Sequence, residues 1–142
     1  MAQQIDVRGP RFGAVITTVI LALVLITAPS PFSTVLLAWQ TLAFALGAFA
    51  GLKRQPYGVL FRKVVAPRLA PASRFEDPQP PTFAQLVGFA FAAVGLAGAL
   101  TGADVVAEVA VGLALAAAFL NAAFAICLGC EMYTLGKRLL AH

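Results

Sequence analysis

Four apolar runs dominate the pattern of hydrophobic and polar positions along this 142-residue chain. They cover residues 12–28, 32–52, 83–100 and 105–128, and none of them contains a proline. A bilayer core of roughly 30 Å takes about 20 helical residues to cross. Because an unsatisfied backbone group is costly in lipid, each run is predicted to be a helix. The pattern therefore predicts an all-α, polytopic membrane protein with four transmembrane helices.

The spacing of the runs predicts how the helices are connected. Short connectors join the first run to the second and the third to the fourth, which gives two helical hairpins. The longer segment 53–81 joins the hairpins, and residues 1–142 are expected to form a single membrane domain. The first run is too long for a typical signal-peptide core and is followed at once by a second span. It is therefore expected to be retained.

Composition agrees with a membrane protein. The chain is 61% hydrophobic and 11% charged, and its mean hydropathy is +0.89. A soluble domain has about 25% charged residues because its surface faces water. These values exclude an ordinary soluble domain and make the lipid bilayer the first expected partner.

The positive charges predict the orientation. The connectors at 29–31 and 101–104 carry no Lys or Arg, so the cations fall at the other ends of the four runs. The positive-inside rule assigns that face to the cytoplasm. We expect a multi-pass protein of the cell inner (plasma) membrane, with both termini and the loop 53–81 in the cytoplasm. The net charge of +4 suits anionic lipid and gives no reason to expect nucleic acid. The ten cations are Arg8, Arg11, Lys53, Arg54, Arg62, Lys63, Arg68, Arg74, Lys137 and Arg138.

The loop contains a segment of mixed character. Residues 57–69 combine bulky apolar side chains with cations, which is typical of a short segment lying in the membrane interface. The alternative is a solvated cytoplasmic linker.

The only two cysteines, Cys127 and Cys130, lie three residues apart at the end of the fourth run. That spacing allows two sulfurs to form a disulfide or to share a metal. On a helix, Cys130, Glu131 and Lys137 would belong to one polar stripe. We predict that Cys130 attacks a partner, that Cys127 resolves the product, that Glu131 shuttles a proton and that Lys137 helps to hold the thiolate.

Two alternatives remain for the reactivity of the pair. At the C-terminus of the last transmembrane helix, the helix dipole would disfavour a thiolate. If Gly129 instead breaks the helix so that Cys130 starts a new one, the dipole would favour it. Because cytoplasmic thiols are kept reduced, the pair is expected to be reduced and a permanent disulfide is not expected.

Polar side chains inside the runs need partners. Asn121 lies about two turns deeper than the cysteines, and Gln40 in the second run is its candidate partner by depth. Glu108 is close to the outer end of its helix and is a shallow candidate for a proton site.

The segment Asn121-Ala-Ala-Phe-Ala-Ile-Cys-Leu-Gly-Cys-Glu-Met-Tyr133 resembles the C-terminal signature of a bacterial integral membrane family catalogued as domain of unknown function 4395. Pro10-Arg-Phe12 and Pro81-Thr-Phe-Ala-Gln85 resemble its other hallmarks. The resemblance implies a small bacterial membrane protein whose genes accompany those of thioredoxin-like proteins and sulfurtransferases. It also implies that Cys127 and Cys130 are a redox pair.

Three functions are compatible with these features. The leading hypothesis is a membrane dithiol that relays electrons or sulfane sulfur to or from a soluble thioredoxin-like or rhodanese-type protein. The second is a non-enzymatic accessory subunit of a larger membrane complex. The third is metal handling by Cys127 and Cys130, although two thiolates supply only half of a tetrahedral site. No cofactor is predicted, and the sequence does not decide whether the protein is an enzyme.

Overall fold

The fold is a bundle of four long helices with shorter helices at one end. The computed structural model describes residues 5–6, 8–70, 75–76, 79–124 and 128–140. A π-helical turn, Leu46–Ala50, follows the second long helix and extends it. In chain order the helices are α1 (Arg8–Thr27), α2 (Pro31–Ala45), α3 (Pro56–Leu60), α4 (Gln79–Thr101), α5 (Asp104–Phe124) and α6 (Leu128–Leu140).

The long helices have the length and composition of membrane spans. Four segments of the described chain are long and apolar enough to cross a bilayer: Arg8–Thr27, Pro31–Ala50, Gln79–Thr101 and Asp104–Phe124. Their outer faces carry large apolar side chains, such as Ile26 (77% exposed) and Leu100 (69% exposed). A soluble protein does not expose apolar surface on this scale. The all-α, polytopic membrane fold predicted from the sequence is confirmed.

The four long helices form a ring in the order α1, α2, α4, α5, with α5 packed back against α1. Each helix is antiparallel to both neighbours, which is the up-down-up-down arrangement of a four-helix bundle. Side chains from all four helices meet in one central cluster. The cluster consists of Leu21, Val24, Leu37, Phe44, Ala92, Val111 and Ala114.

Local capping explains why each hairpin turns where it does. The side chain of Ser30 accepts a 3.1 Å hydrogen bond from the backbone N–H of Ser33, and Pro31 occupies the first position of α2. At the other hairpin, Gly102 adopts a positive φ of 82°, and the N–H of Ala103 donates to the carbonyl of Gly98 at 2.8 Å. This is a glycine-terminated helix end of the Schellman type. We call this end of the bundle the turn end.

The opposite end, which we call the basic end, holds the start of α1 and α4 and the end of α2 and α5. There α3 packs against α1, and the rings of Phe12 and Phe61 lie 5.7 Å apart. Within the segment predicted to lie in the interface, Tyr57 and Phe61 are buried, whereas Arg62 is exposed. The central loop also forms a two-residue antiparallel pairing, in which Ile5–Asp6 lies beside Phe75–Glu76.

Candidate redox site at the basic end

Helix α6 does not continue the axis of α5. The ring of Tyr133 lies 5.8 Å from that of Phe83, and the Tyr133 hydroxyl donates a 2.6 Å hydrogen bond to Gln79 Oε1. Met132 and Asn121 also line the same cavity. On one straight helix these two residues would lie about 16 Å apart along the axis. The chain therefore changes direction after α5, and α6 packs against the first turns of α4.

This change of direction alters the environment of the cysteine motif. Cys130 lies in the first turn of α6, and the predicted fourth span corresponds to α5, which is described as far as Phe124. Of the two alternatives from the sequence, a helix that starts at Cys130 is the nearer one, but α6 begins at Leu128 and contains Gly129, which was expected to break the helix.

Cys130 is disulfide-bonded. The chain's only other cysteine, Cys127, lies outside the described residues, and in the sequence it immediately precedes α6. This is one state of Cys130, and the expectation that the cytoplasm keeps the pair reduced stays a prediction.

The electrostatic surroundings of Cys130 differ from those expected at a helix C-terminus. The first turn of a helix presents unpaired N–H groups and a partial positive charge, which stabilise a thiolate. In addition, Arg11 Nε donates a 3.2 Å hydrogen bond to the carbonyl of Ala122. This carbonyl lies in the last described turn of α5, where the helix dipole places partial negative charge. A guanidinium therefore offsets the negative end of α5 just before the cysteine motif.

The other predicted site residues lie on α6 at different distances from Cys130. Glu131 follows it directly in the first turn and is exposed. Lys137 is exposed in the last turn, about 10 Å further along the helix axis. Thr134 lies between them, and its hydroxyl donates to the carbonyl of Cys130 at 3.0 Å. The structure thus places Glu131 beside the cysteine and Lys137 two turns away on the same helix.

The predicted pairing of Gln40 with Asn121 is wrong. Gln40 is fully buried, and its Oε1 accepts a 2.6 Å hydrogen bond from the hydroxyl of Tyr57. Its Nε2 donates to Thr17 Oγ1 at 3.3 Å, and Trp39 Nε1 donates to the same Tyr57 hydroxyl at 3.0 Å. Depth alone could not identify these partners, because Tyr57 reaches into the bundle from the loop.

A cavity of about 290 Å³ lies in the basic half of the bundle, among α1, α2, α4 and α5, with Met132 of α6 also in its wall. Its polar side chains are Thr17, Gln85 and Asn121. Gln85 Oε1 is buried and accepts no hydrogen bond from the residues that the structure describes. Sequence reasoning singled out Asn121 but missed Gln85, although an amide inside an apolar run is the same kind of signal.

Glu108 lies at the opposite end of the bundle. It is exposed one turn into α5, as its sequence position predicted, and with Asp104 it lines a groove of about 550 Å³ beside the turn after α1. Within the described parts of the chain, no group of three or more His, Cys, Asp or Glu residues is placed to hold a metal ion.

Together, the fold and this site define a class of protein: a four-helix membrane bundle with a cysteine pair at one end. The model of the family described as domain of unknown function (DUF4395) matches residues 5–138. The chain therefore belongs to this family, as its resemblance predicted. No curated protein and no solved structure matches the chain.

Proposed function

We propose that this protein is a membrane-bound dithiol that exchanges electrons or sulfane sulfur with a soluble thioredoxin-like or rhodanese-type partner through Cys127 and Cys130. The observation that carries the proposal is the disulfide at Cys130, in the first turn of an amphipathic helix at the basic end of the bundle. A helix start lowers the pKa of a cysteine thiol and so favours exchange.

For electron transfer, the Cys130 thiolate attacks a disulfide of the partner. A mixed disulfide forms, and one partner sulfur leaves as thiolate. Cys127 then attacks Cys130 Sγ, which releases the second partner sulfur and closes the Cys127–Cys130 disulfide. The partner gains two electrons and two protons, and the two thiols of this chain lose them.

For sulfane sulfur, the Cys130 thiolate attacks the outer sulfur of a partner persulfide. Cys130 becomes the persulfide, and the partner leaves as thiolate. Attack of Cys127 on the inner sulfur then releases hydrosulfide and closes the same disulfide. Both routes end in a disulfide between Cys130 and Cys127.

Two charged residues of α6 support this chemistry in the proposal. Glu131, exposed beside Cys130, takes the proton of the attacking thiol and passes it to the departing thiolate. Lys137, two turns away, adds positive charge to the surface that the partner approaches. In the proposal this surface faces the cytoplasm and the bundle lies in the inner membrane, which the cations at the basic end favour through the positive-inside rule.

Partner capture tests the proposal. Cys127→Ser leaves the attacking thiol without a resolving one, so mixed disulfides or persulfides should accumulate on Cys130 and be recovered from cells under acid quench. Cys130→Ser is the matched control and should trap much less, because the remaining thiol is the resolving one. If neither single variant traps a partner in cells where the wild-type pair cycles, the proposal is wrong.

The accessory-subunit alternative is favoured by one feature of α6. Leu135, Leu139 and Leu140 are exposed on it, and they suit either lipid or another membrane protein. A variant with both cysteines changed to serine separates the two functions. It should abolish thiol cycling under our proposal, whereas an accessory subunit would keep both its assembly with a larger complex and its phenotype. Metal content with and without the cysteines tests the remaining alternative.

A further inference from the structure

Helix α6 exposes a row of large apolar side chains, which we call the apolar stripe. Met132, Leu135 and Leu139 recur at i, i+3 and i+7, so they share one face of the helix. They are 53%, 59% and 69% exposed, so the described parts of the bundle leave most of each side chain uncovered. Leu139 lies in the last turn, where a helix end frays, so Met132 and Leu135 offer most of the contact to a partner.

The opposite side of α6 is polar. Thr134 and Lys137 are exposed and lie on roughly the other side of the helix from the apolar stripe. Among residues 131–140, only Tyr133 and Gly136 are not exposed, and they lie between the two sides. Tyr133 makes the contact with α4. The helix therefore rests on the bundle along one flank, with the apolar stripe on one side of that contact and the polar residues on the other.

The position and length of α6 indicate where the apolar stripe lies. Helix α5 is long and apolar enough to cross a bilayer and is described as far as Phe124, and α6 begins at Leu128. The start of α6 is therefore close to the membrane boundary. Its 13 residues extend about 20 Å, which is too short to cross a bilayer core of roughly 30 Å. A short amphipathic helix in this position lies in the interface with its apolar side among the acyl chains.

We propose that α6 lies on the membrane surface and binds anionic phospholipid. Lys137 and Arg138 are exposed in its last turn, and Glu131 is its only acidic residue. Exposed Lys53 and Arg54 add positive charge at the same end of the bundle. Long cationic side chains can reach phosphate groups while neighbouring leucines enter the acyl region. A second copy of the chain would bring the same cations together, so charge favours the lipid over a dimer.

The lipid contact also fixes the side of α6 on which Cys130 lies. Cys130 precedes Thr134 by one turn and belongs to the polar side of the helix. A lipid-bound α6 therefore holds Cys130 at the aqueous side of the interface. The contact itself does not rest on the dithiol function proposed above, and it would be made equally by an accessory subunit.

Quenching of tryptophan fluorescence by brominated acyl chains tests the orientation of α6. Full-length protein with Leu135→Trp is placed in nanodiscs, and the signal of Trp39 is subtracted by using wild-type protein in the same nanodiscs. Leu135→Trp should be quenched about twofold or more strongly than Thr134→Trp, because Thr134 lies on the polar side. Equal quenching of the two variants, or stronger quenching of Thr134→Trp, would overturn the proposed orientation.

Hydrogen exchange of the wild-type protein tests the lipid contact without any substitution. The amides of α6 should exchange about fivefold or more slowly in nanodiscs with about one-third phosphatidylglycerol than in pure phosphatidylcholine, because each cation near an anionic surface contributes about that factor. The difference should shrink at high salt. Equal exchange in the two lipids would disprove binding of anionic lipid.

Charge variants identify the cations that bind the lipid. Lys137→Gln combined with Arg138→Gln should reduce the lipid dependence of α6 exchange to less than about twofold. The matched control combines Lys53→Gln with Arg54→Gln, which removes two exposed cations outside α6, and it should keep the wild-type difference. Equal loss in both double variants would contradict a contact made by α6 itself.

The same measurement separates lipid from a second copy of the chain as the occupant. Nanodiscs that hold one copy should show the full effect of anionic lipid on α6. Slow exchange that appears only in nanodiscs with two copies, at fixed lipid composition, would assign the apolar stripe to a dimer and overturn the proposal. None of these measurements involves the cysteines, so their outcome is independent of partner trapping.

Discussion

The hydroxyl of Tyr133 donates a 2.6 Å hydrogen bond to Gln79 Oε1 and so joins α6 to the first residue of α4. The aromatic ring of Tyr133 packs on Phe83 one turn further along α4. These two contacts hold α6 across the basic end of the bundle. Tyr133 therefore contributes to the direction of α6 and to the position of Cys130 in its first turn.

Substitutions at Tyr133 should change the reactivity of Cys130. Tyr133→Ala removes both the hydrogen bond and the ring contact, so we expect faster amide exchange in α6 and faster alkylation of reduced Cys130. Tyr133→Phe keeps the ring and should have a small effect, about 0.5 kcal/mol, because the hydrogen bond is exposed. Hydrogen exchange in nanodiscs measures the first effect, and iodoacetamide labelling measures the second.

Leu139→Ala provides the control for this pair of variants. Leu139 lies on the same helix and is 69% exposed. The Leu139→Ala variant should leave the rate of amide exchange in α6 and the rate of alkylation of Cys130 near their wild-type values. Equal rates in Tyr133→Ala and Leu139→Ala would show that the contact with α4 does not position α6.

The hydrogen bond between Tyr57 and Gln40 should be visible as an energetic coupling. Both side chains are buried, so Tyr57→Phe leaves Gln40 Oε1 without its donor, and Gln40→Leu leaves the Tyr57 hydroxyl without its acceptor. Each variant should lose about 1–3 kcal/mol of stability. The double variant should lose less than the sum of the two, because the Tyr57–Gln40 hydrogen bond is then lost only once and neither of its two partners is left unpaired. Thermal unfolding in detergent measures this cycle, and additive losses would contradict the network.

The hydroxyl of Tyr57 should ionise at a higher pH in the folded protein than in the unfolded chain. Burial raises the pKa of Tyr57 from 10.0 to about 12, although the hydrogen bond from Trp39 acts in the opposite direction. Because the folded-state pKa is higher than the unfolded one, the contribution of Tyr57 to stability is complete below pH 10. It is lost as the pH rises toward 12. Subtracting the phenolate absorbance of Tyr57→Phe from that of the wild type isolates this titration, and a midpoint near pH 10 would contradict it.

Close packing of α4 on α5 depends on Gly98. A Cβ at this position would lie 3.0 Å from Ala103 O and 3.0 Å from Ala107 N, and backbone atoms cannot move aside easily. Gly98→Ala should therefore destabilise the bundle by about 1–3 kcal/mol. Gly112 is the matched control, because a Cβ there meets nothing within 4 Å. Gly112→Ala should stabilise α5 by up to about 1 kcal/mol, since alanine is the better helix former.

The hydropathy pattern was sufficient to predict most of the fold. The first three spans agree with α1, α2 with its π-helical extension, and α4 to within about one turn at each end. Prolines or charged residues end some of these runs, such as Pro29 before α2 and Lys53-Arg54 after it. The change of direction between α5 and α6 was not predicted, because residues 121–128 are mostly apolar and contain no proline. A hydropathy pattern alone does not predict a change in helix direction.

The residues of the site could be predicted from the sequence, but the tertiary contacts around them could not. The spacing of Cys127 and Cys130 identified the motif, yet the contact of Tyr133 with Phe83 links positions 50 residues apart and has no local signal. The same holds for Tyr57, which reaches Gln40 from outside the spans. Contacts between loop and bundle depend on tertiary packing, and a periodic pattern within one helix cannot encode them.

The reduction potential of the cysteine pair tests the proposed dithiol function most directly. Purified protein in nanodiscs is equilibrated in glutathione and dithiothreitol buffers, and the reduced fraction is measured by alkylation shift. A pair that exchanges with thioredoxin-like partners should titrate between about −270 and −120 mV, the range of known exchange proteins. A midpoint below about −300 mV is typical of a structural disulfide and would contradict the account.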